Sequence, residues 1–175
     1  MKIISREFRA GFQNSNEASV MTVYKSLLYL IIEAGLFALY VPLALLRSGP
    51  RLETGVISLL ALPLWLIGSL VVLWCFWDFT FKGRGTPMPI DPPRELVVTG
   101  FYRYVRNPIY VGVLAIFLGH FLWLGYWALL IYTVLAFIGV HFFIILYEEP
   151  TLKRKFGASY EEYLKKVPRW MPKIR

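Results

Sequence analysis

Residues 107–147 read NPIYVGVLAIFLGHFLWLGYWALLIYTVLAFIGVHFFIILY, with no formal charge when His120 and His141 are neutral. As one straight helix this run would reach about 60 Å, about twice the apolar thickness of a bilayer. A break is needed, and Trp123-Leu124-Gly125-Tyr126-Trp127 offers one: a glycine for the turn, and aromatics suited to a membrane–water interface. The spacing predicts a helical hairpin, roughly 108–124 and 127–147, whose outer ends return to the same side.

Two more membrane-length runs lie upstream. Thr22–Leu46 carries Lys25 near its start and Glu33 further in. A turn at Arg47-Ser48-Gly49-Pro50-Arg51 leads to the uncharged run Thr54–Trp77, where Pro63 predicts a kink and Asp78 ends the apolar stretch. Four spans place 1–21, 79–106 and 148–175 on one side. Arg47 and Arg51 are then the only two of nineteen Lys and Arg on the other, which makes the basic side, with both termini, cytoplasmic.

Residues 1–21 form either a short interfacial helix or a polar tail. No secretory signal is expected there, because no small-residue cleavage site follows the first apolar run. Residues 79–106, rich in Gly, Pro and charge, predict an ordered loop that buries Leu96, Val97, Val98, Phe101 and Tyr102. After Glu148, the residues Leu152, Phe156, Tyr160, Leu164 and Val167 recur at near-helical spacing. They predict an amphipathic helix on the membrane surface or against the loop, stopped by Pro168. The expected fold is an all-α membrane protein of about four transmembrane helices, with a C-terminal hairpin and a cytoplasmic amphipathic C-terminal helix. It forms one domain over 1–175, divided into the tail 1–21, the first two spans 22–78 and a C-terminal half 79–175.

Composition agrees. The chain is 57% hydrophobic and 17% aromatic, too apolar for an ordinary soluble domain. Its net charge of +8 suits membrane-surface and topology residues, and no nucleic-acid partner is expected. The single Cys75 excludes an intrachain disulfide and a thiolate metal site, and no metal is expected.

Two polar clusters bracket the hairpin: Arg103, Arg106, Asn107 and Tyr110 before it, Glu148 and Glu149 after it. The hairpin should make them neighbours. Arg forks a carboxylate and Glu takes an ammonium, so together they suit a small zwitterion. They equally suit a structural ring of ion pairs at the bilayer edge. Asn107-Pro108 suits a helix start, with Asn as cap and Pro at the first position.

Three further polar residues have two readings each. Glu33 either faces the hairpin, toward a substrate or a cation, or lies near the interface. His141, about two turns before Glu148, is either a functional group at depth or a buried histidine bonded to a neighbouring helix. Arg169 either reaches back to the pocket or meets lipid headgroups.

The string GTPMPIDPPRELVVTGFYRYVRNPIYVG, followed by EEPTLKRKFGASYEEYLKKVPRWMP, resembles the isoprenylcysteine carboxyl methyltransferase and phospholipid methyltransferase superfamily. The shared pattern is Gly-x-Tyr-x-x-x-Arg-(His/Asn)-Pro-x-Tyr, here Gly100 to Tyr110. The pair Glu148-Glu149, then Phe-Gly-x-x-Tyr-x-x-Tyr and Val-Pro-Arg, completes it. The resemblance covers about the C-terminal half, from Gly85 onward, and implies a membrane enzyme that uses S-adenosylmethionine on a lipid or lipid-like acceptor.

By position, the resemblance implies cofactor contacts at Arg94, Glu95, Leu96, Val97, Tyr102, Asn107, Pro108, Tyr110 and Glu148. Leu96 and Val97 would flank the adenine, and Tyr102 and Tyr110 would close the pocket. Arg106 and Glu149 would stand nearest the acceptor chemistry, with Glu33, His141 and Arg169 as further substrate candidates. Asn107 stands where the family often has His, so no titrating base is implied there. The arginine that isoprenylcysteine enzymes carry shortly before the glutamate pair is replaced by His141–Tyr147 without arginine, so a prenylcysteine carboxylate does not follow. Two other classes compete: an NADPH-dependent membrane reductase with a related Asn-Pro-x-Tyr pattern, and a non-enzymatic membrane scaffold.

Overall fold

The computed structural model describes residues 20–46, 49–83, 85 and 93–172. Among them the regular structure is helical, with one isolated antiparallel bridge between Arg51 and Tyr126. Three helices are long and apolar enough to cross a membrane: α1 (Val20–Leu45), α2 (Gly55–Phe81) and α4 (Trp127–Phe156). A shorter apolar helix, α3 (Pro108–Leu124), precedes α4, and a final helix, α5 (Ala158–Lys166), follows it. The expected N-terminal tail, residues 1–19, lies outside the described residues.

The hairpin turns at Gly125, whose φ of 75° is left-handed and suits glycine. Its tip is pinned to the α1–α2 connection. Leu52 N–H donates to Gly125 O at 2.7 Å, and Trp127 N–H to Pro50 O at 3.3 Å. α2 and α3 form the main helix pair, and small residues let them touch. A Cβ on Gly68 would stand 2.6 Å from Gly112 O, and one on Gly112 would stand 2.8 Å from Gly68 O. Where lipid removes the hydrophobic drive between helices, such close backbone approach supplies the packing.

Two prolines reshape their helices. α1 widens to a π-helical stretch at Ala34–Tyr40 just before Pro42, and α4 does so at Ile144–Glu148 just before Pro150. Proline lacks an N–H and crowds the carbonyl four residues back, so a local i→i+5 pattern relieves both problems. Pro63 behaves differently from the expected mid-span kink. It lies in the first turn of the α-helical part of α2, after a 3₁₀ stretch at Gly55–Leu60, where its missing N–H matters least.

The apolar run ends at Asp78, but the helix continues to Phe81 because Asp78 is buried. Lys82 Nζ approaches its Oδ1 at 2.7 Å, an ion pair by distance although neither carboxylate oxygen has a well-directed hydrogen bond. Lys82 also donates to Thr99 Oγ1 at 3.1 Å, which ties the loop to the end of α2. In the described part of that loop, Val97 and Tyr102 pack on Cys75, while Val98 and Phe101 are exposed rather than buried as expected. Phe101 lies in a 3₁₀ turn, Gly100–Arg103, that buries Tyr102, and meets Trp74 on the outside of α2.

The stretch after Glu148 is two helices, not one. Gly157, at φ 54°, breaks the stripe between the end of α4 and α5. The bend lets Tyr160, Tyr163 and Val167 bury together against Leu96, so the stripe covers the loop.

Candidate active site

The start of α3 carries Arg106, Asn107 and Tyr110, and the π-helical stretch of α4 ends in Glu148 and Glu149. The hairpin brings them into contact. Tyr110 donates its hydroxyl to Glu148 Oε2 at 3.0 Å. Arg106 Nη1 donates to Glu149 Oε1 at 2.8 Å. Arg169 reaches back from the C-terminal segment and forks the same carboxylate, Nε to Oε1 and Nη2 to Oε2, each at 2.9 Å. Glu149 thus sits between two guanidiniums. All three side chains are less than a third exposed, so the pairing is little screened by water.

The C-terminal segment is laced down further. Arg106 N–H donates to Pro168 O at 2.9 Å, and Asn107 Nδ2 donates to Arg169 O at 3.2 Å. This corrects the expected cap. Asn107 precedes α3 and Pro108 is its first residue, but the Asn107 side chain makes no capping bond because its amide is turned to Arg169. Tyr163 donates its hydroxyl to the buried Tyr102 O at 2.7 Å, and Trp170 Nε1 donates to His141 Nδ1 at 3.1 Å.

The tyrosines of this face stay neutral. Burial pushes the Tyr160 hydroxyl up to about 12, with Glu149 adding to it. Burial likewise raises Tyr102 and Tyr163 well above the ordinary tyrosine value. They serve as hydrogen-bond groups and aromatic surface. The hydrogen bond to Glu149, opposed by partial burial, raises Arg169, which stays charged.

Two cavities meet here. The first, of about 80 Å³, opens on the loop face. Leu96, Val97, Tyr102, Arg106, Asn107, Tyr110, Glu148 and Glu149 line it, together with Phe79, Tyr147, Leu152, Tyr160 and Tyr163. The second, of about 460 Å³, lies among the apolar helices between α1 and the hairpin. Tyr29, Glu33, Phe37, Val72, Phe76, Ile116, Tyr132 and Val140 are among its walls. Phe79, Tyr102, Arg106, Asn107, Tyr110 and Glu148 belong to both, so these six form the partition between a more polar chamber and a more apolar one.

Of the candidates from the sequence, nine line one or both chambers: Leu96, Val97, Tyr102, Arg106, Asn107, Tyr110, Glu148, Glu149 and Glu33. Arg94 and Glu95 are exposed and line neither, and their backbone N–H groups hold Gly83 O at 2.8 and 3.2 Å. Pro108 is buried as the first residue of α3. His141 lies outside both chambers, in an aromatic stack with Phe137 and Trp170. Tyr160, Tyr163 and Leu152 were missed as site residues. The near-helical stripe carries Leu152 and Tyr160, and Tyr163 joins it once Gly157 is read as a break.

Comparison with known proteins places this geometry. The model of the phospholipid methyltransferase family matches residues 56–159, more than half of the chain. A Schizosaccharomyces pombe protein, protein-S-isoprenylcysteine O-methyltransferase, is 42% identical over 82 residues. That alignment takes in 45% of this chain and 34% of the relative, so the chain matches about a third of the relative's length.

Proposed function

The chain belongs to the phospholipid methyltransferase family, and from that footing we propose that it is an integral-membrane methyltransferase that moves a methyl group from S-adenosylmethionine to a lipid-like acceptor. The observation that carries this reading is the partition. A polar chamber open to the loop face and an apolar chamber open among membrane helices share one wall of six residues. A water-soluble donor and a lipid-soluble acceptor need such an arrangement, each arriving from its own phase.

The polar chamber fits the donor. Glu148 matches an ammonium, the trio Arg106, Glu149 and Arg169 keeps one net positive charge for a carboxylate, and Leu96, Val97 and Tyr102 offer apolar and aromatic surface for adenine. Arg94 and Glu95 contribute through their backbone, which sets the course of the chain into Leu96 and Val97. When bound, the donor supplies a methyl carbon already activated by a sulfonium charge. The protein's task is then positioning and charge stabilisation. Tyr110 and Glu148 orient groups at the partition. Arg106, held by Glu149, sets the electrostatics beside the acceptor. Asn107, paired with the Arg169 carbonyl, fixes the start of α3 rather than titrating.

In this reading α3 also crosses, making four spans; it is about 26 Å long and completed by its ends. The excess of basic residues supports a cytoplasmic loop face and donor chamber. Membranes containing the protein, given methyl-labelled S-adenosylmethionine, should put label into the organic extract. Label that stays in the aqueous phase, at the level of membranes without the protein, contradicts the proposal.

A further inference from the structure

The apolar chamber has its own chemistry. Its charged walls are Glu33, Glu148 and Arg106, and Arg106 is already paired with Glu149. Glu33 lines this chamber from α1, one turn after Tyr29, which lines it too. Tyr132 lies on the opposite wall and donates its hydroxyl to Phe37 O at 3.0 Å. Tyr110, at the partition, lines the same chamber as Tyr29 and Glu33. A carboxylate inside an apolar chamber is costly unless it meets a cation or a proton donor. Among the described walls, two carboxylates face one guanidinium, which Glu149 already holds.

Resting on the methyltransferase reading, we propose that Glu33 and Tyr29 form the acceptor subsite and select a long-chain amine that carries no phosphate or carboxylate beside its nitrogen. An anionic acceptor would be pushed against Glu33 and Glu148. An alkylammonium is matched by Glu33, and its chain runs along Phe37, Phe76 and Val140. The ammonium gives one proton to the Glu33 carboxylate, which becomes a carboxylic acid. The freed nitrogen lone pair forms the N–C bond to the donor methyl as the C–S bond breaks, and its electron pair leaves on sulfur. The product is a methylammonium and a neutral thioether, and Glu33 releases its proton to water. Glu33 lies outside the segment that matches the family model, on the helix that walls the chamber. Specificity is therefore carried by α1.

The test uses the full chain in phosphatidylcholine nanodiscs with methyl-labelled S-adenosylmethionine and three separate acceptors: octadecylamine, octadecanoate and phosphatidylethanolamine. Octadecylamine should be labelled at least tenfold faster than either other acceptor. Glu33→Gln should cut that rate and the binding of octadecylamine at least tenfold, while S-adenosylhomocysteine binding changes less than twofold. Preferred labelling of octadecanoate or phosphatidylethanolamine, or full amine turnover in Glu33→Gln, overturns the proposal. S-Adenosylhomocysteine binding without binding or labelling of octadecylamine also overturns it and leaves the methyltransferase reading standing. Failure to bind S-adenosylhomocysteine at all strikes that reading itself.

Discussion

The two sides of the hairpin are built to opposite specifications. On the loop face, the C-terminal segment is fastened to α3 and α4 by the Glu149 fork, two bonds from 106 and 107 to the Pro168 and Arg169 carbonyls, and the Tyr163–Tyr102 bond. On the other side, the described ties of α1 include a Thr80–Ser26 bond of 3.1 Å, the Tyr132–Phe37 bond, and a Tyr29–Phe76 ring contact at 6.2 Å. Between α1 and the hairpin lies the larger chamber. A site for a small polar ligand gains from fixed, desolvated partners, whereas a site for a flexible apolar chain gains from walls that yield. The contrast assigns rigidity to the donor side and adaptability to the acceptor side.

The sharpest way to break the contrast is at Glu149. Glu149→Ala strands two partly buried guanidiniums and should cost about 3 kcal/mol of stability. Melting in detergent should fall, and S-adenosylhomocysteine binding should weaken at least tenfold. An unchanged melt would show that the fork holds nothing. Next is the helix crossing. Gly68→Ala drives a methyl into Gly112 O and should cost about 2 kcal/mol. Gly139→Ala, which meets nothing within 4 Å beside the open chamber, should melt as the wild type does. Equal losses at the two glycines would erase the distinction between a tight and a loose side.

Smaller effects sharpen the comparison. Arg106→Ala removes one of the two guanidiniums from Glu149 and should lower turnover about tenfold, a change of about 1.4 kcal/mol. An unaltered rate would remove Arg106 from the reacting centre. Tyr163→Phe loses one buried hydrogen bond and should cost about 1 kcal/mol by thermal unfolding. Ser26→Ala on α1 should change the melt least, since it removes a single hydroxyl contact.

Much of this architecture is legible in the sequence because lipid leaves few choices. A charge-free run too long for one span, with Gly125 near its middle, has to fold back. The neighbouring of Arg106 and Tyr110 with Glu148 and Glu149 follows from that return. What was not legible depends on contacts between distant parts. Asn107 reads as a helix cap, but its amide answers the Arg169 carbonyl, 62 residues away. The stripe from Leu152 to Val167 reads as one helix because its period survives the break at Gly157, whose positive φ no periodicity signals. His141 reads as polar at depth, and only the position of Trp170 shows that its nitrogen is satisfied. The two π-helical stretches have no periodic signature beyond the prolines that follow them. The partition residue Phe79 reads as one more aromatic at the end of a span.

The most direct test of the account is calorimetric titration of the detergent-purified chain with S-adenosylhomocysteine, alongside Glu148→Ala and with NADPH in parallel. The account predicts saturable binding of S-adenosylhomocysteine alone, weakened at least tenfold in Glu148→Ala, because Glu148 stands in the wall between the chambers. Binding of NADPH in its place, or S-adenosylhomocysteine binding that Glu148→Ala leaves intact, would contradict it.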